Sequence, residues 1–119
     1  MKKEMFLQQQ FAHWLNVKGL LYCASAGGMR VNIRTAVNMK RSGYKKGFPD
    51  IFIYLPCGKY HGLAIELKAG SGKATSEQRA WQEALNRQGY LALIMPGNMD
   101  FNKAFDWLRD IVENYLKAL

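Results

Sequence analysis

The sequence predicts an α/β fold, a mixed sheet flanked by helices. Short apolar runs of strand length occur at 51–55, 63–68 and 90–95. Longer stretches with apolar residues three and four apart occur at 3–17, 75–88 and 101–116. Glycine and proline punctuate the boundaries at Gly19, Pro56-Cys57-Gly58, Gly89 and Pro96-Gly97. Strands and helices that interleave in this way pack as layers around one sheet, in the order αβββαβα.

Residues 3–17 form the first helix, since Phe6, Leu7, Gln10, Phe11, Trp14 and Leu15 recur mostly at i, i+3 and i+4, and Gly19 ends the element. Leu20 to Ala24 is a short strand candidate. Residues 25–47 are rich in glycine, serine, asparagine and basic side chains, and read as an irregular, partly mobile segment with a short strand near Val31–Ile33. Ile51 to Leu55 and Leu63 to Lys68 are strands joined across Pro56-Cys57-Gly58-Lys59, an antiparallel hairpin. Thr75 with Gln78 three residues on has the form of a capping box that opens the helix to Gln88, and Gly89 suits its C-terminal cap. The strand–helix–strand unit 63–95 is expected to be a right-handed parallel crossover. The last helix buries Phe101, Ala104, Phe105, Leu108, Ile111, Val112 and Tyr115.

Length and composition fit one domain spanning 1–119, with 49% hydrophobic residues to form its core. Two cysteines are too few for a disulfide scaffold and fit a reducing, cytoplasmic compartment. Gln8-Gln9-Gln10 interrupts any signal-peptide core, and no apolar run reaches the roughly 20 residues of a membrane span. Seventeen lysines and arginines against nine acids give +8 at pH 7. No acid lies between Glu4 and Asp50, an interval that holds Lys18, Arg30, Arg34, Lys40, Arg41, Lys45 and Lys46. Such a block suits a polyanion, nucleic acid before membrane.

The stretch GLAIELKAG, 62–70, alternates Ile65 and Leu67 on one face with Glu66 and Lys68 on the other. Taken alone it is an ordinary half-solvated strand. Its partner changes the reading. A hairpin turn centred on Gly58 pairs residues whose numbers sum to 116, which sets Asp50 opposite Glu66 on one face, with Lys68 one step along. Two adjacent carboxylates repel unless a cation joins them, and paired hard oxygens suit Mg²⁺ or Mn²⁺. Carboxylate, carboxylate and ammonium together are the parts that phosphodiester hydrolysis needs.

Pro49-Asp50, fifteen intervening residues and Glu66-Leu67-Lys68 match the PD-(D/E)xK nuclease signature. With GFPD, ELKAGSGKATSEQRAW and LNRQGY, the chain from Glu4 to about Met95 resembles the VRR-NUC (virus-type replication-repair nuclease) family. The resemblance implies a PD-(D/E)xK, restriction-endonuclease-like core and a Mg²⁺-dependent deoxyribonuclease. It implies Asp50, Glu66 and the Leu67 carbonyl as metal ligands and Lys68 as the catalytic lysine. It also implies catalytic-site roles for Glu4 in the first helix and for Gln78. The alternatives are a solvated first-turn glutamate and a helix-capping glutamine. Standalone bacterial and phage members are similar to Holliday-junction resolvases and act as homodimers, so branched DNA, a homodimer and a phage or prophage origin are expected. Arg30, Arg34, Lys40, Arg41, Lys45 and Lys46 are the expected DNA contacts.

Other chemistries fare worse. Cys23, Cys57, His13 and His61 lack zinc-module spacing, the serines lack a nucleophile context, and Gly70-Ser71-Gly72-Lys73 lacks the spacing of a phosphate loop. Trp14, Trp81 and Trp107 fall on apolar helical faces and read as core. A non-enzymatic nucleic-acid binder on a nuclease scaffold is the alternative function, and an RNA-processing nuclease a third.

Overall fold

The computed structural model describes residues 3–25, 31–68 and 72–119. Along the chain lie α1 (Lys3–Lys18), β1 (Tyr22–Ala24), α2 (Ile33–Arg41), β2 (Ile51–Ile53), β3 (Leu63–Glu66), α3 (Ser76–Arg87), β4 (Leu91–Ile94) and α4 (Phe101–Leu116). The sheet order is β1-β2-β3-β4. The first two pairings are antiparallel and the β3–β4 pairing is parallel, so the sheet is mixed.

Side-chain alternation divides the core in two. Odd-numbered Ile51, Ile53, Leu63, Ile65 and Leu67 pack with Leu7, Phe11 and Leu15 of α1 and with Ala104, Leu108, Val112 and Tyr115 of α4. Even-numbered Phe52, Ala64 and Ala92 pack with Leu85 of α3, against Phe48, Trp81 and Tyr90. Each large apolar side chain so buried contributes about 1.5–3 kcal/mol. The Asn86 side chain accepts from the Ala92 amide at 2.9 Å, which fastens α3 to the edge strand β4 and occupies one of its outward groups. The Tyr115 hydroxyl donates to the Leu55 carbonyl at 2.7 Å and ties α4 to the end of the hairpin.

Several sequence expectations change. The strand expected near Val31–Ile33 is instead the start of α2, capped by the Asn32 side chain, which accepts from the Thr35 amide at 2.8 Å. The order therefore gains a helix between the first two strands. β3 is buried on both faces rather than half-solvated, because α3 covers the side that carries Glu66. Phe101 is 40% exposed, and its ring lies 5.2 Å from that of Phe6. The three tryptophans are half-buried. Arg30, Gly70 and Ser71, named in the sequence reading, lie outside the described residues. Among the described residues no helix is long and apolar enough to cross a membrane.

Candidate active site

The hairpin register places the first two acids. Ile51 pairs with Ile65, so the next pair outward is Asp50 with Glu66. Asp50 follows buried Pro49 and still belongs to the ladder, since its carbonyl accepts from the Ser25 amide at 2.9 Å. Its side chain turns toward β3, where Oδ2 accepts from the Leu67 amide at 2.8 Å. That bond satisfies a backbone donor just past the end of β3 and fixes the carboxylate. Glu4, in the first turn of α1, supplies a third acid. Carboxylate oxygens of Glu4, Asp50 and Glu66 lie within 4.8 Å of one another, and they form the one group of three or more potential metal-ligating side chains among the described residues. Cys23, Cys57, His13 and His61 do not gather there or elsewhere among those residues.

Glu66 is the most constrained of the three. It is 5% exposed, the one buried charged residue among those described. Burial pushes its carboxyl up to about 9, and the hydrogen bond and charge of Asp50 and the charge of Glu4 push the same way against the opposing pull of Lys68.

Gln78 connects the carboxylates to the lysine. Its backbone amide donates to Thr75 Oγ1 at 3.1 Å, while its Oε1 accepts from the Thr75 amide at 2.9 Å, a complete capping box. The same Oε1 accepts from Lys68 Nζ at 2.8 Å, and Nε2 donates to Glu66 Oε2 at 3.0 Å. Two donors on one side and an acceptor on the other fix which way the amide faces. Lys68 Nζ lies 3.9 Å from Glu66 Oε2. One side chain thus both caps α3 and bridges Lys68 to Glu66. Leu67 has its side chain in the core and its amide on Asp50.

The cluster fits a hard divalent cation by its chemistry: three carboxylates converge, and anionic oxygens are the ligands that such an ion takes. Arg34, Lys40, Arg41, Lys45 and Lys46 are distributed over two elements, the first three on α2 and the lysines on the loop that leads to Asp50. The sequence reading did not single out the aromatic members of that loop, Tyr44 and Phe48. Their signal was the interleaving of aromatic and basic residues in Tyr44-Lys45-Lys46-Gly47-Phe48.

The sequence profile of the VRR-NUC domain matches residues 3–99. Among solved structures, one described as a VRR_NUC domain protein superposes with a TM-score of 0.79 at 26% identity, covering 99% of this chain and 91% of that one. Another, described as a VRR_NUC domain, gives 0.62 at 18% identity, covering 97% and 99%, and shows likeness of fold. No curated protein sequence matches the chain. A profile match over most of the chain, on a mixed sheet with these flanking helices, shows that this protein belongs to the VRR-NUC family, a family of nuclease domains whose chemistry implies a divalent metal.

Proposed function

We propose that this protein is a metal-dependent endonuclease that hydrolyses phosphodiester bonds in branched DNA, four-way junctions included. The observation that carries the reading is the convergence of Glu4, Asp50 and Glu66 beside a lysine held by the same glutamine that holds Glu66. Asp50, Glu66 and the Leu67 carbonyl would hold Mg²⁺, or Mn²⁺ in its place, with Glu4 as a further oxygen donor. When bound, such an ion supplies charge stabilisation at the phosphate and acidifies water. Lys68, fixed by Gln78, orients the attacking water and offers a donor to the charge that grows on the phosphate in the transition state. Gln78 keeps Lys68 and Glu66 in mutual register. Thr75 acts one step back, through Gln78.

Arg34, Lys40, Arg41, Lys45 and Lys46, with Arg30, grip the DNA backbone. Phosphate contacts carry no base sequence, so the reading favours a substrate chosen by structure. Residues 1–119 act as one nuclease domain in the cytoplasm of a bacterial or phage-infected cell. A homodimer brings two sites to the two strands that must be cut in a four-way junction.

Cleavage of duplex, flap, fork and four-way substrates with Mg²⁺, Mn²⁺ or EDTA tests the reading. Branched DNA is expected to be cut with metal and spared with EDTA. Lys68→Ala is expected to abolish cutting while leaving fold and binding. Retention of DNA without nicking under every metal would favour the non-enzymatic binder. Preferential cutting of RNA would favour the RNA-processing nuclease.

A further inference from the structure

A cavity of about 340 Å³ is lined by Ser25, Gly43, Tyr44, Lys45, Phe48 and Trp81. Its size is at the small end of the roughly 300–1,000 Å³ of small-molecule sites. Its walls are largely aromatic. Phe48 meets Trp81 edge to face, with ring centroids 5.0 Å apart, and stacks toward Phe52 at 6.2 Å. The loop that forms one side is pinned to α3. The Trp81 indole donates to the Lys46 carbonyl at 3.1 Å. Gly47 has a φ of +89° and approaches so closely that a Cβ there would lie 2.7 Å from Glu77 Cβ. The cavity is therefore built by two elements locked together.

Its position relative to the cluster follows from chain geometry. Phe48 precedes Asp50 by two residues, at most about 7 Å along the backbone. Trp81 stands one turn beyond Gln78 on α3. A group in the cavity and a phosphate at the carboxylates can thus belong to neighbouring nucleotides. Lys45 lines the cavity and Lys46 follows it, its carbonyl on the Trp81 indole, so a planar ring with a phosphate attached matches both the lining and the charge.

The geometry points to a nucleobase pocket: one unpaired base of the DNA substrate enters between Tyr44, Phe48 and Trp81 while its backbone lies on the lysines and leads to the acidic cluster. Aromatic faces take any base by stacking, so the pocket selects for an unpaired nucleotide and not for sequence. A base already free at a branch or bulge enters at least cost, whereas a paired one must first leave its stack. The inference rests on the nuclease reading and gives it a physical source of structure selectivity.

The test measures binding in EDTA, apart from cleavage. Three duplexes are compared by fluorescence anisotropy: fully paired, with a one-nucleotide bulge, and with the same bulge made abasic. The bulged duplex is expected to bind roughly tenfold more tightly than its abasic counterpart, the scale of one base–aromatic stack. A 2-aminopurine placed in the bulge is expected to be quenched on binding. Tyr44→Ala, or Phe48→Leu should that variant fail to fold, is expected to bring the bulged duplex to the abasic affinity. Equal affinity of wild type for the two bulges, or a difference that survives a folded pocket variant, overturns the pocket. Failure to cleave any substrate with any metal would sink the nuclease reading and leave the binding result standing.

Discussion

Glu66 occupies a position where a carboxylate is costly, because its charge is removed from water and two other acids share its surroundings. In the folded chain its carboxyl is pushed up to about 9 by burial first and by Asp50 next, from an ordinary 4.5. Between those values the folded protein holds a proton that the unfolded chain has released. Its contribution to stability is therefore complete below about pH 4.5 and is lost as pH rises through 9, at up to about 1.4 kcal/mol per pH unit. Metal-free wild type is expected to lose melting temperature from pH 5 to 9, and Glu66→Gln to flatten that decline; parallel profiles for the two proteins would contradict it. Lys68 can be separated from this balance. Lys68→Ala removes a donor from Gln78 and leaves the carboxylates in place, so cleavage is expected to vanish while circular dichroism and DNA affinity persist. The pairing of Asp50 with Glu66 was legible in the sequence, because side chains alternate with period two and a turn centred on Gly58 fixes the register. The Gln78 bridge was legible only as a helix cap, since its reach to Lys68 and Glu66 depends on where α3 lands on the sheet.

At the scale of elements, the N-terminus of α3 joins a helix cap to the candidate site. Thr75→Ala removes the oxygen that accepts from the Gln78 amide and is expected to cost about 1 kcal/mol in denaturant unfolding. Because the Gln78 backbone then loses this hold while its Oε1 keeps the Thr75 amide, turnover is expected to fall modestly but more than substrate affinity; an equal loss of both would mean that the cap only stabilises the helix. Gly47→Ala probes the other contact with α3. It introduces a Cβ against Glu77 at a backbone angle that L-residues rarely adopt, at a cost of roughly 1–3 kcal/mol, measurable as a lowered melting temperature. The helices α1, α3 and α4 were readable from apolar spacing and caps. α2 was not, because none of its residues is buried and its flanks are polar and glycine-containing. Only the Asn32 cap marks it. The double burial of β3 was likewise hidden, since Glu66 and Lys68 mimic a solvent face while α3 covers them.

Across the whole molecule, charge and topology divide the labour. The acid-free interval from 5 to 49 carries Arg34, Lys40 and Arg41 on α2 and Lys45 and Lys46 on the following loop, while Glu4, Asp50 and Glu66 lie at the ends of α1, β2 and β3. Replacing Arg34, Lys40 and Arg41 together by alanine is expected to weaken DNA binding. The slope of log K against log salt is expected to become shallower by about 0.7–0.9 for each phosphate no longer neutralised. An unchanged slope would remove α2 from the DNA interface. Composition revealed the excess of positive charge, but not the helix that presents part of it. The convergence of Glu4 with Asp50 and Glu66 is a property of the complete fold, because it needs α1 docked beneath a sheet whose hairpin register is already set. Direct titration of Mn²⁺ into wild type, Asp50→Asn and Glu66→Gln, by calorimetry near pH 7, tests that convergence most directly. Wild type is expected to bind the ion with release of protons, and both variants to lose binding; Mn²⁺ uptake undiminished in Asp50→Asn and Glu66→Gln would contradict it.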